Sequence, residues 1–172
     1  KALNIDPSTA DYAVYQKAFA QGISGRYTDK IGTLTYLIEN YPQSDYLDDA
    51  LYEKGRAYIQ LDKNNQAIHV FEQLTTQFPQ SQYAPKAGNE IALIHYQNNQ
   101  ISAAIKAYKM VILNYPGSEQ ADVAMRDLKN LYVEENMVDS YIDFASQAQG
   151  MVKVDVSERD SLTYKAAELA YA

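Results

Sequence analysis

A chain of 172 residues is long enough for a domain with a continuous core, and the absence of cysteine excludes disulfides and thiolate metal or nucleophile sites. With 15 Lys and Arg against 22 Asp and Glu, a net charge of −7 excludes a general grip on a phosphate backbone, so no nucleic acid is expected as partner. There is also no apolar run of about 18 residues, and no transmembrane segment is expected. Helical periodicity fills the chain instead. The first helix is expected over 8–21, with Ser8 and Asp11 at capping-box spacing and a break at Gly22-Ile23-Ser24-Gly25. The second runs over 28–40. Further helices follow over 45–61 and 65–77, 82–97 and 101–114, and 119–134 and 138–149. Short polar turns join each pair, which forces the two helices to lie antiparallel. Residues 150–158 read as a β-branched connection, and 159–172 as one more helix.

The elements repeat. Tyr41-Pro42-Gln43-Ser44, Phe78-Pro79-Gln80-Ser81 and Tyr115-Pro116-Gly117-Ser118 stand 37 residues apart, and in each the proline ends one helix while the serine is placed to cap the next. The same step from Ile31 reaches Ile68, Ile105 and Ile142, and from Leu34 it reaches Phe71, Tyr108 and Ala145. A period of this size marks a stack of units, none of which can bury its own apolar face alone. The preceding helix of each copy has a column of small residues, Ala18, Gly55, Ala92 and Ala166, interrupted by Lys129. Small side chains there allow close helix approach, and Lys129 is expected either to loosen its copy or to extend its amine to water. The expected organisation is four helix pairs over 1–149 (about 8–40, 45–77, 82–114 and 119–149) and the first helix of a fifth.

These residues resemble the tetratricopeptide repeat (TPR). Gly55, Tyr58, Ala67, Phe71 and Pro79 stand at that family's small, aromatic, small, aromatic and proline positions, and Ala92, Ala104, Tyr108 and Pro116 repeat most of the set. The unit is three residues longer than the usual 34. Together with Asp48-Asp49-Ala50-Leu51-Tyr52, the Pro-x-Ser connection is similar to that of bacterial envelope proteins of the Tol-Pal-associated and outer-membrane barrel-assembly lipoprotein type. The resemblance implies an all-α, right-handed α-solenoid of about nine helices, in a periplasmic or outer-membrane-associated protein. It also implies a non-catalytic scaffold that holds a peptide or partner helix in a concave groove, with no cofactor. The rival is an architectural segment of a longer solenoid or a self-associating unit. A start at Lys1 and an unterminated last helix fit a piece of a longer parent chain.

By the resemblance, the groove is lined by Tyr15 and Phe19 in the first copy, Tyr52 and Arg56 in the second, Lys86, Asn89 and Tyr96 in the third, and Arg126 and Asn130 in the fourth. Tyr12, Asp49, Ile59, Leu93, Val123 and Val133 complete it. Tyr15 and Phe19 occupy the places of the Lys and Asn of the family's carboxylate clamp, which argues against a chaperone's carboxy-terminal tail as ligand. The plainer reading is that tyrosine, present 16 times, is simply the packing residue of this chain. His95 shares a column with Tyr58 and Tyr132 and is expected to pack as they do, while His69 is expected in solvent. Two histidines in different repeats do not make a zinc site. Asp48 and Asp49 fit the first turn of a helix, where the dipole favours carboxylates. No catalytic or metal motif is present, so an enzyme is not expected.

Overall fold

The computed structural model describes residues 7–148 and 156–170. Nine helices lie among them: α1 (Pro7–Ile23), α2 (Tyr27–Asn40), α3 (Leu47–Ile59), α4 (Asn64–Gln77), α5 (Ala84–Gln97), α6 (Ile101–Asn114), α7 (Glu119–Glu134), α8 (Val138–Gln147) and α9 (Val156–Ala170). The Ser8 cap rests on a side chain outside the described residues, as does most of the expected connection at 150–158. The chain divides into two compact units, Lys1–Ile94 and His95–Ala172. In the first, α1 packs on α2, α2 on α3 and α3 on α4; in the second, α6 packs on α7, and α7, α8 and α9 pack on one another.

The turn within each pair is set by one left-handed residue. Gly25, Asp62, Asn99 and Asn136, again 37 apart, have φ of 69°, 54°, 57° and 53°. Glycine and short Asx side chains accept that region at least cost. Beyond each, a backbone N–H reaches back five residues: Arg26 to Gln21, Lys63 to Tyr58, Gln100 to His95 and Met137 to Tyr132, at 2.7 to 2.9 Å. This is the Schellman closure, which satisfies carbonyls that the helix end leaves unpaired. Because Gly25 alone is enough for it, α1 continues through Gly22 to Ile23, past the break expected there.

The serines do not all act as expected. Ser118 caps α7, its hydroxyl accepting from the Ala121 N–H at 3.1 Å. Ser44 and Ser81 instead accept from the N–H two residues on, of Tyr46 and Tyr83, and α3 and α5 begin three residues after them. Their hydroxyl protons go to carboxylates 33 residues back, Ser44 to Asp11 and Ser81 to Asp48, both at 2.6 Å. A charge-assisted bond across copies outcompetes a local cap. At the same step before Ser118 the sequence has Pro85, whose side chain cannot accept a hydrogen bond.

The core follows the columns, with one correction. Leu34, Leu37, Phe71, Leu74, Tyr108 and Val111 are buried, but the four isoleucines of the Ile31 column are only half-buried, since each lies on the flank of its buried stripe. In the small column Gly55 is indispensable: a Cβ there would lie 2.4 Å from a ring carbon of Phe71, which is fully buried. At the same register in α7, Lys129 is half-buried, and its helix is still well packed through Leu128, Leu131 and Tyr132. At the start of the column of Ala67 and Ala104 stands Lys30, only 7% exposed and paired with Glu53. Gly22 makes room for it, since a Cβ there would sit 3.0 Å from the lysine Nζ.

Candidate protein-binding faces of the two units

In the first unit the expected groove residues are tied together at two junctions that repeat. Tyr15 stacks on Tyr46 with centroids 5.1 Å apart and planes at 15°; 37 residues later Tyr52 stacks on Tyr83 at 5.2 Å and 25°. Asp49 lies between the junctions. It accepts from the Tyr15 hydroxyl at 2.5 Å and also from that of Tyr83. Burial pushes the Asp49 carboxyl above its usual range, and the two tyrosine hydrogen bonds oppose that shift. Burial, and then the neighbouring Asp49 carboxylate, push Tyr83 up to about 12 and raise Tyr15 as well. Lys86 lies over the Tyr83 ring, 5.4 Å from its centroid. Asn89, at the register of Tyr15 and Tyr52, is half-buried.

Phe19 and Arg56 are brought together. They line a cleft of about 360 Å³ with Ile23, Tyr27 and the Lys30–Glu53 pair. Phe19 is 50% exposed and Ile23 76%, so the rim of the cleft is apolar and wet. Arg56 is exposed at its edge and acts electrostatically on Glu90. Helix periodicity explains the arrangement: Tyr12, Tyr15, Phe19 and Ile23 follow one face of α1 at steps of three and four, and Tyr52 and Arg56 do the same on α3. The expected set lacked Tyr27, Lys30 and Glu53. A lysine heading a column of alanines was the available signal.

In the second unit Arg126 and Asn130 are exposed on α7, one turn apart, and Arg126 makes a long contact of 3.4 Å to Asp127. The Tyr96 hydroxyl donates to Glu134 at 2.7 Å. Val133 does not line an open face, because it is only 3% exposed. Lys109 lies over two rings, 4.6 Å from Phe144 and 5.6 Å from Tyr132. His95 is half-buried and shares a hydrogen bond of 2.6 Å with Gln100, while His69 is exposed. Among the described residues no group of three or more His, Asp and Glu could hold a metal ion, and no helix is long and apolar enough to cross a membrane.

Comparison with known proteins fits this architecture. The sequence profile of the YfiO family, described as an outer membrane lipoprotein, matches residues 47–161, more than half of the chain. Among solved structures, the Podosopora anserina kinesin-light-chain-type protein of nearly identical TPR-like repeats is similar at a TM-score of 0.60 and 13% identity, covering 97% of this chain and 90% of that one. A point variant of the same protein gives 0.61 and 13%, covering 98% and 90%. At that identity the likeness shows the fold, which is TPR-like. No curated protein matches the sequence.

Proposed function

Because the chain belongs to the YfiO family of outer membrane lipoproteins, we propose that it is a non-catalytic scaffold of the bacterial envelope, working on the periplasmic side, which holds an extended peptide or a partner's helix on the inner faces of its hairpins. The observation that carries this reading is the cleft at Phe19 and Arg56. It offers an aromatic anchor, an apolar rim and a cation within one pre-formed surface, the combination on which binding energy concentrates at protein interfaces. A rigid surface of this kind loses little ordering entropy when a partner arrives. Arg126 and Asn130 offer a second, polar contact on the other unit for peptide carbonyls or an acidic side chain.

Site-specific photocrosslinking in cells tests the reading. A photoreactive side chain at position 19 or 56 is expected to capture a discrete partner, and one at the exposed His69 position is not. Equal labelling from all three positions, or none from 19 and 56, would count against it. A Phe19→Ala, Arg56→Ala double variant should keep its helicity and lose the partner, and an Arg126→Ala, Asn130→Ala variant should weaken the same complex.

A further inference from the structure

Helices α2, α4, α6 and α8 repeat one another at the 37-residue step, and one strip of each can be compared at equal register. On α4 the strip reads His69, Gln73 and Thr76, and on α8 it carries Asp143 and Gln147. The same positions of α6 hold Lys106, Met110 and Leu113, of which the last two are 53% and 59% exposed. Two large apolar side chains therefore stand in water where the α4 and α8 copies are polar. Lys106 is exposed beside them, α6 contains no Asp or Glu, and no carboxylate among the described residues pairs with this lysine.

The strip of α2 at that register is Gly32, Tyr36 and Glu39, all exposed. Only proline is a poorer helix former than glycine, so a glycine inside a helix calls for something packed upon it. Gly55 makes room for Phe71 and Gly22 for Lys30, but a Cβ at Gly32 would meet nothing within 4 Å. The gap it leaves has no occupant in its own chain. Next to it Tyr36 is 50% exposed, its ring steadied by the edge of Tyr41 at 6.1 Å. The exposed charges of α2 are the carboxylates of Asp29 and Glu39, since its one lysine, Lys30, is buried and paired with Glu53.

We propose that the chain associates with itself through these two unlike strips, the α6 strip of one copy lying antiparallel on the α2 strip of another. Within a residue at each step, Lys106 then comes opposite Glu39, Met110 opposite Tyr36, and Leu113 opposite the gap at Gly32. Charge selects this occupant: a basic strip is matched to an acidic one, and neither would suit its own duplicate. The Met110 sulfur gains a contact with the Tyr36 ring, which favours thioethers near it. Because the strips differ, each contact leaves one of each kind free, and copies add until the arrangement closes on itself. Neither strip uses a residue of the Phe19 cleft, so the two readings can fail separately.

The test is sedimentation equilibrium of the whole chain over a range of concentrations, with circular dichroism of each variant. Reversible association is expected, and it should be weak because one helix against one helix makes a small interface. Lys106→Glu should weaken it about tenfold, as expected for like charges brought together, and adding Glu39→Lys to the same chain should restore it. Gly32→Gln puts a better helix former into open space, so the fold should be at least as stable while association is lost. A glycine with a purely internal role would not behave in that way. Cysteine, absent from the chain, reports the register: oxidation of a mixture of Gly32→Cys and Leu113→Cys chains should give the mixed disulfide in preference to either homodimer. A chain that is monomeric at every concentration would overturn the proposal and leave the two strips to other proteins. Association unmoved by Lys106→Glu and Gly32→Gln would also overturn it, since another face would then join the copies, as would homodimeric disulfides forming as readily as the mixed one.

Discussion

The α3 and α7 helices occupy the same register, 37 residues apart twice over, yet they solve the packing problem differently. In α3 the small column is a glycine pressed against a buried phenylalanine ring, and the surrounding polar groups are bound pairwise: Ser81 to Asp48, Tyr15 and Tyr83 to Asp49, Lys30 to Glu53. In α7 the same column holds Lys129, Ser118 serves as an ordinary cap, and the buried face is made of Ala124, Leu128, Leu131 and Tyr132. A repeat therefore conserves the positions of contact without conserving their chemistry. Close approach combined with polar bonds makes the α3 position unforgiving of an added atom, and a half-buried lysine makes the same position of α7 tolerant.

The strongest way to break this contrast is Gly55→Ala. A Cβ 2.4 Å from the Phe71 ring cannot be relieved by a surface side chain moving aside, and overpacking of this kind costs about 3 kcal/mol. Lys129→Ala at the same register should cost less than about 1 kcal/mol, and chemical denaturation of the two variants side by side gives the comparison directly. Next in size is Lys30→Ala, which makes that position like Ala67 and Ala104 but strands Glu53 at the cleft. A loss of about 2 kcal/mol is expected, reduced from the fully buried case because Glu53 is partly exposed. The double variant Lys30→Met, Glu53→Leu should recover most of it.

Smaller, but more diagnostic, are the serines. Ser81→Ala and Ser118→Ala should each cost about 1 kcal/mol. Only the first should couple to a carboxylate, so a double-mutant cycle with Asp48→Asn should give a clear interaction energy. The smallest effect is seen at high pH. Tyr83 in the first unit and Tyr108 in the second are both pushed up to about 12 from 10.0, in each case first by burial. The folded state favours their neutral form, so that stability is complete below pH 10 and is lost as pH rises toward 12. Asp49→Asn should bring Tyr83 down and leave Tyr108 where it is, as read from tyrosinate absorbance in matched Tyr→Phe variants.

Much of the fold was legible because repetition lets each position be checked against its equivalents. The helices, the turns between them and the buried Leu34 column stand as the spacing predicts. The Ile31 column misled because a repeated apolar residue can sit on the flank of a helix stripe as regularly as at its centre. Ser44 and Ser81 misled for a related reason: a serine before a helix has a local acceptor role by default, and nothing local reveals a carboxylate 33 residues earlier that binds its hydroxyl more strongly. The left-handed column from Gly25 to Asn136 was visible in the residue types alone, but its members vary among Gly, Asp and Asn and do not read as one motif. Of the site, Phe19 and Arg56 stand 37 residues apart, so the repeat register places them at the same position of successive hairpins. The burial of Lys30 beneath them depends on the void left by Gly22, a matter of shape that spacing does not encode.

The left-handed residue at the apex of each pair also bears on how such a chain can grow. Its closure is made wholly within the hairpin, from backbone groups no more than five residues apart. A hairpin can therefore be duplicated or removed as a cassette without its fold being renegotiated. What a new cassette must match is its neighbour, and in the first unit that means a carboxylate for the incoming serine and a ring for the incoming tyrosine. Gene duplication supplies both at once, and point substitution seldom would.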